Sequence, residues 1–201
     1  DKDLYKSDRW GRALPLLEDV CTFEDALLVG AMLITLLRNA DRVKIACMAQ
    51  LVNVIAPIMT REGGGVWAQT IFYPLMQASA FGRGVSLRPL IDCPSYACKD
   101  FDEVPLVDAA AALAENGELT IFAVNRDLTD DILLRADLRA LGELRVAEHS
   151  VLHHDDANAV NTEAAPDTVT PAKGDLGATD AGGLSVTLPA FSWNVIRLKK
   201  R

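Results

Sequence analysis

The sequence predicts two unlike parts in succession, an incomplete α/β segment over residues 1–84 and an all-β sandwich over residues 85–201. Three observations carry this reading. A strongly apolar, helix-forming stretch from Phe23 to Arg38 is followed a few residues later by a near-continuous apolar run, Val43 to Ala49. From Val85 onward the hydrophobic period shortens to two, the period of a half-buried strand. The charge divides near the same place: residues 1–88 carry ten basic and nine acidic residues, residues 89–201 ten and nineteen.

The first helix has a good N-cap in Thr22, with Glu24 and Asp25 in its first turn, where carboxylates favour the helix dipole. Because Phe23–Arg38 is apolar on nearly all sides, it belongs between layers of structure. The run Val43–Ala49 has the composition of a parallel strand covered on both faces. Gln50 and Asn53 bring polar amides just past its end. After a loop containing Pro57 and Gly63-Gly64-Gly65, a second helix is expected over Trp67 to Phe81, ended by Gly82 and Gly84. Helix, strand, loop and helix are a piece of an α/β fold. One strand cannot make a sheet, so its partners are expected elsewhere. The opening DKDLYKSDRWGRALP has neither an initiator methionine nor a basic-then-apolar leader and reads as a surface loop, which suggests a fragment of something larger.

In the second part, Leu119–Val124, Ile132–Leu134, Leu144–Val146, Leu184–Leu188 and Phe191–Leu198 read as short strands. Asn116-Gly117 is a hairpin turn, which favours an extended Ala109–Ala114 despite its helical propensity. Phe191 and Trp193 alternate inward on the last strand as sandwich core, and residues 155–183 are expected to form a long loop of low order. Short strands at this spacing suggest a β-sandwich.

Composition removes several function classes. A net charge of −8 lacks the clustered Lys and Arg that face phosphates, so nucleic acid is not an expected partner. The richest apolar run, Ala26–Leu37, falls short of the roughly 20 residues a bilayer span needs, so no membrane partner is expected. Of four cysteines, Cys47 reads as a small buried hydrophobe. Cys93 and Cys98 flank a short loop and could reach one another, although a reducing compartment disfavours that bond. His149, His153, His154, Asp155 and Asp156 invite a metal reading, but adjacent strand residues point to opposite faces, so no metal is expected there. The glycine triplet lacks the Lys-Ser/Thr of a phosphate-binding loop and reads as a flexible turn.

Four long strings go further. TFEDALLVGAMLITLLRNADRVKIACMAQLVNVIAPI (22–58), WAQTIFYPLMQASAFGRG (67–84), TIFAVNRD (120–127) and LPAFSWNVIRLKK (188–200) resemble the α-L-arabinofuranosidases of glycoside hydrolase family 51, in the family's order. The resemblance implies an α/β barrel remnant, the last strand and helices of a TIM (β/α)8 barrel over 1–84, followed by a jelly-roll sandwich over 85–201. It implies a retaining hydrolase of terminal arabinofuranosyl groups, acting in the cytoplasm as a homo-oligomer, a hexamer, on arabinose-containing saccharides. Both catalytic glutamates are expected before residue 1, in an upstream barrel segment of the same enzyme, and Glu18, Glu24 and Glu62 have no matching context. No catalytic residue is therefore expected in this chain.

One sugar-binding residue of the family does match: the glutamine of the AQLVN string stands here as Gln50. Active sites of such barrels lie at the C-terminal ends of strands, and a carboxamide offers both donor and acceptor to hydroxyls. Asn53 lies nearby, with a structural reading beside the functional one. Trp10 could edge the cleft as a stacking wall, and Trp67 reads as core. A different class remains open: a non-catalytic sugar-binding or interaction module, against which stands the greasy, unpaired stretch 23–49. A third is a related barrel glycosidase acting on another furanoside or on xylosides.

Overall fold

The computed structural model describes residues 18–180 and 182–201. Helix α1 spans Phe23–Arg38, followed by strands β1 (Ile58–Thr60) and β2 (Val66–Ala68), helix α2 (Phe72–Phe81) and strand β3 (Val85–Leu87). The remaining strands are β4 (Ser95–Cys98), β5 (Phe101–Pro105), β6 (Val107–Leu113), β7 (Leu119–Asn125), β8 (Ile132–Asp137), β9 (Leu144–His153), β10 (Ala172–Lys173), β11 (Ala178–Asp180), β12 (Gly183–Leu188) and β13 (Ser192–Lys200).

The strands form a six-stranded sheet in the order β10-β9-β13-β7-β6-β3, a three-stranded sheet β11-β12-β8, and two hairpins, β1-β2 and β4-β5. Every pairing within these sheets is antiparallel. Two separate cores result. On one face of the large sheet, Ala110, Ala112, Phe122, Val124, Leu152 and Trp193 pack under Phe23, Ala26, Leu27 and Ile34 of α1. On the other face, Ala109, Ala111, Leu119, Ile121, Ile196 and Leu198 meet Leu184, Val186 and Leu188 of the small sheet. The molecule is thus layered as helices, large sheet and small sheet. This explains why β7 reads LTIFAVN with every residue buried: its alternate side chains serve two cores.

Local chemistry sets the helix ends. Thr22 and Asp25 form a reciprocal capping box, with the Thr22 hydroxyl accepting from the Asp25 amide (3.3 Å) and the Asp25 carboxylate from the Thr22 amide (2.7 Å). Helix α2 begins five residues later than the expected Trp67. Starting at Phe72, it holds Pro74 in its first turn, where the missing N–H has no partner to lose. A start at Trp67 would have put that proline in the helix interior. Val66 and Trp67 instead extend into β2 and pair with Thr60 and Met59.

The expected strand Val43–Ala49 is not formed. These residues belong to no strand, and all but Val43 are exposed, with Ile45 at 83%. The physical reason is that a strand of this composition is stable only between neighbours, and none of the described strands lies beside it. Accordingly, no barrel sheet is present among the described residues, and the chain is mostly β-sheet around a sandwich. The expected low-order loop 155–183 also differs: it includes β10, β11 and the buried Ala159, Asn161 and Val169. Short-range bonds order it, such as the Asn158 amide donating to Asp156 Oδ1 (2.9 Å). The expected strand at Leu144–Val146 runs on to His153, because β13 pairs with it along its length.

Trp193 is the keystone of the upper core. Its indole N–H donates to Gln77 Oε1 of α2 (2.7 Å), and its ring stacks on Phe122 with centroids 5.8 Å apart. Gly30 of α1 lies directly above that ring, where an added Cβ would come 2.6 Å from Trp193 Cε3. Alanine favours a helix over glycine by about 1 kcal/mol, so the clash decides the sign. Gly30→Ala is expected to destabilise by about 1–3 kcal/mol, as overpacking typically does, and to lower the midpoint of a thermal melt followed by circular dichroism. A raised midpoint would show that α1 can ride away from Trp193.

Cys21, immediately before the α1 cap, is half-buried, and its thiol is pushed up to about 11 by burial, then by the nearby Asp25 and Asp19 carboxylates. At pH 8 its thiolate fraction is therefore about one in a thousand. Timed iodoacetamide labelling with peptide mass readout should modify the exposed Cys98 well before Cys21. Early loss of Cys21 would contradict the packing at this end of α1.

Candidate functional site

The loop between Val43 and β1 carries the exposed polar groups singled out by sequence. Gln50 is exposed, its peptide bond with Ala49 is cis, and among the described residues no partner takes up its carboxamide. It therefore presents both donor and acceptor to solvent. The loop is closed beneath it by backbone bonds. Val52 bridges Ile58, the Asn53 amide donates to the Ile58 carbonyl (2.8 Å), and the Ala56 amide donates to the Asn53 carbonyl (3.0 Å).

Asn53 has its side chain committed inward. Its Oδ1 accepts from the Thr60 amide (2.6 Å), and its Nδ2 lies 2.9 Å from Thr60 Oγ1. Its φ of 60° falls in the left-handed region, which asparagine tolerates better than most residues. Asn53 thus pins the loop to β1. Trp67 is half-buried in β2. Trp10 lies outside the described residues.

Three further side chains hold this loop or the β1–β2 hairpin that follows it, and sequence reasoning missed all of them. Gln69, buried, donates to the Ala56 carbonyl (2.9 Å) and accepts from the Cys21 amide (2.8 Å). Asn161 donates to the Ala68 carbonyl (3.1 Å), and Glu163 accepts from the Gly65 amide (2.9 Å). These bonds join residues 13 to 98 positions apart, which no local pattern signals.

Among the described residues, no group of three or more His, Cys, Asp or Glu side chains is arranged to hold a metal ion. His149 is buried with its ring nitrogens 2.7 Å from the Asp175 carbonyl and 3.0 Å from Asn194 Oδ1, so both are engaged by the sandwich. His153 lies near Asp155, while His154 Nδ1 accepts from the Asp156 amide. Cys93 and Cys98 are both free thiols.

The carboxyls with depressed pKa all sit on the sandwich and have local causes. Lys199 and then Arg197 hold Glu118 low, backbone amides of Thr129 and Asp130 hold Asp127 low, and Arg139 holds Asp137 down at about 2. These are structural pairings, with none of the raised, apolar environment that suits a general acid. A cleft of about 950 Å³ opens where the small sheet leaves part of the large one uncovered, lined by residues such as Ala109, Ala111, Ile121, Leu134 and Leu138. Its walls are mainly aliphatic, whereas a sugar site needs convergent hydrogen-bonding groups. The Gln50 loop remains the best-supported polar site.

Comparison with known proteins bears on the family of the chain. The model of the family described as Alpha-L-arabinofuranosidase C-terminal domain matches residues 4–192. An intracellular exo-alpha-(1->5)-L-arabinofuranosidase of Halalkalibacterium halodurans is 55% identical over 193 residues, covering 96% of this chain and 38% of that protein. A protein of the same description from Bacillus subtilis is 52% identical over 197 residues, covering 98% of this chain and 39% of its own length. A solved family 51 alpha-L-arabinofuranosidase from Bifidobacterium longum superposes with a TM-score of 0.87 at 40% identity, covering 96% of this chain and 38% of that structure. The chain thus spans about two fifths of the length of these relatives. By sequence and by fold, it belongs to the family of α-L-arabinofuranosidase C-terminal domains found in glycoside hydrolase family 51.

Proposed function

We propose that this chain is the C-terminal part of a retaining, exo-acting α-L-arabinofuranosidase that releases terminal, non-reducing α-L-arabinofuranosyl groups from arabinose-containing oligo- and polysaccharides. The observation that carries the reading is 55% identity across 96% of the chain to an intracellular exo-alpha-(1->5)-L-arabinofuranosidase. Residues 1–84 contribute the end of a (β/α)8 barrel, with Val43–Ala49 as its last strand, and residues 85–201 form a jelly-roll sandwich. In support, the relatives are more than twice as long, and the stretch 43–55 exposes Ile45, Met48, Leu51, Val52 and Ile55. A patch of that character marks a surface built to be covered.

In this reading the catalytic pair of glutamates belongs to the upstream segment. One attacks the anomeric carbon, and the other protonates the leaving oxygen and then activates water, which requires their carboxyls to stand about 5–5.5 Å apart. Gln50 grips the sugar by donating to one hydroxyl and accepting from another, and so contributes by positioning. Asn53 serves the loop. The enzyme works in the cytoplasm as a homohexamer and needs no cofactor.

A non-catalytic sugar-binding module is the second reading. It is disfavoured because such a module has no use for a run as exposed and apolar as Ile45 at 83% and Leu51 at 71%.

The test is steady-state hydrolysis of 4-nitrophenyl α-L-arabinofuranoside by the full-length protein and its Gln50→Ala variant. Loss of hydrogen bonds to the sugar is expected to lower kcat/KM by about tenfold to a hundredfold, from roughly 1–3 kcal/mol of unmet bonding. Full-length protein without activity on this substrate would defeat the enzymatic reading, and an unchanged kcat/KM would defeat the role of Gln50.

A further inference from the structure

The long loop between β9 and β10 grips the β1–β2 hairpin at both ends of β2, and that hairpin carries the Gln50 loop. At one end, Asn161, only 1% exposed, donates to the Ala68 carbonyl (3.1 Å) and the Val169 carbonyl (2.9 Å). Its Oδ1 accepts from the Val169 amide (2.8 Å), so the amide group is fully used and fixed in orientation. At the other end, Glu163 Oε1 accepts from the Gly65 amide (2.9 Å) and Oε2 lies 3.1 Å from Arg61 Nε. A Cβ at residue 64 would come 2.7 Å from Glu163 Oε1, so the glycine turn is what lets the carboxylate approach. The same loop also receives the start of α1, where the Phe23 and Glu24 amides donate to the Ala159 carbonyl (2.8 Å) and the Ala157 carbonyl (3.0 Å).

From the hairpin the connection runs directly toward Gln50. Thr60 of β1 is bonded to the Asn53 side chain, and Ile58 of β1 both accepts from the Asn53 amide and bridges Val52. Gln50 stands two residues before Val52. Side chains of the sandwich thus fix the hairpin, and the hairpin fixes the base of the Gln50 loop.

We propose that Glu163 is a positioning residue for the sugar: acting through the β1–β2 hairpin and Asn53, it sets the place of Gln50, so that the sandwich tunes substrate affinity. This rests on the reading of Gln50 as a sugar contact. An ion pair in which Arg61 is 69% exposed contributes little to global stability, so removing it should loosen the loop and leave the fold. Loss of a contact made equally in ground and transition states raises KM and spares kcat.

The experiment is a double-mutant cycle on the full-length enzyme with 4-nitrophenyl α-L-arabinofuranoside, using E163A, Q50A and the pair, together with E163Q. E163A is expected to raise KM about threefold to tenfold with kcat within about twofold, a size typical of coupling through packed networks. E163Q, which keeps the acceptor for Gly65, should recover most of that loss. In the Q50A background E163A should add nothing, since contacts acting through one residue are not additive. Amide exchange at Asn53 and Ala56 should quicken in E163A while the thermal midpoint holds. An unchanged KM in E163A, an equal rise with Gln50 already removed, or unaltered exchange at Asn53 and Ala56 would each overturn the proposal. A KM unmoved by Q50A would instead defeat the sugar-contact reading and take this proposal with it.

Discussion

Strands β7 and β13 bury both of their faces at once, and the rest of the molecule is arranged to satisfy them. Phe122, Val124, Trp193 and Val195 turn to the helices, while Leu119, Ile121, Ile196 and Leu198 turn to the small sheet. A sheet covered on both faces demands a second layer on each side. One layer is β11-β12-β8, and the other is α1 with α2. This is why two helices that read as part of an α/β unit are inseparable from the sandwich that follows. Gly30 over Trp193 and the small Ala110 and Ala112 beneath α1 let the helix settle close to the sheet. Asp108 of β6, which pairs with both Arg38 at the end of α1 and Arg126 after β7, fastens its edge.

That packing has a functional corollary. With α1 and α2 anchored on the sandwich, the segment between them is tethered at both ends, and its free part projects as the Gln50 loop. The loop's own geometry comes from Asn53, Thr60 and Gln69, and its outer hairpin is held by Asn161 and Glu163. In the role proposed for it, the Gln50 carboxamide on such a support loses little freedom on binding, which is how preorganisation adds affinity.

Much of this was legible in the sequence wherever the signal was local. Thr22 as N-cap, with Glu24 and Asp25 after it, marked the start of α1, and Asn116-Gly117 marked the β6–β7 turn; the last strand was expected from Phe191 but begins at Ser192, with Phe191 turned aside at φ 41°. Among the features misread, two stand out because their determinants are not local. Val43–Ala49 has a strand's composition, but composition cannot supply the neighbouring strands that make it one. The stretch 155–183 looked loose by its small polar residues, yet Asn161 and Val169 are buried there and tie it to β2. Gln50 was singled out through the AQLVN string, since a single exposed glutamine has no physical signature of its own. Glu163 left no trace at all, because its partner Gly65 lies 98 residues away.

The central proposal is that residues 43–55, bare and apolar in this structure, are an interior surface of a larger enzyme, tethered by the sandwich. Hydrogen exchange of these residues, compared between the full-length protein and residues 1–201 alone, tests it most directly. Strong protection of Val43–Ala49 in the full-length protein and rapid exchange in the isolated chain is the predicted result, because a strand between neighbours has its amides bonded and an exposed run does not. Equal, rapid exchange in both would contradict the account.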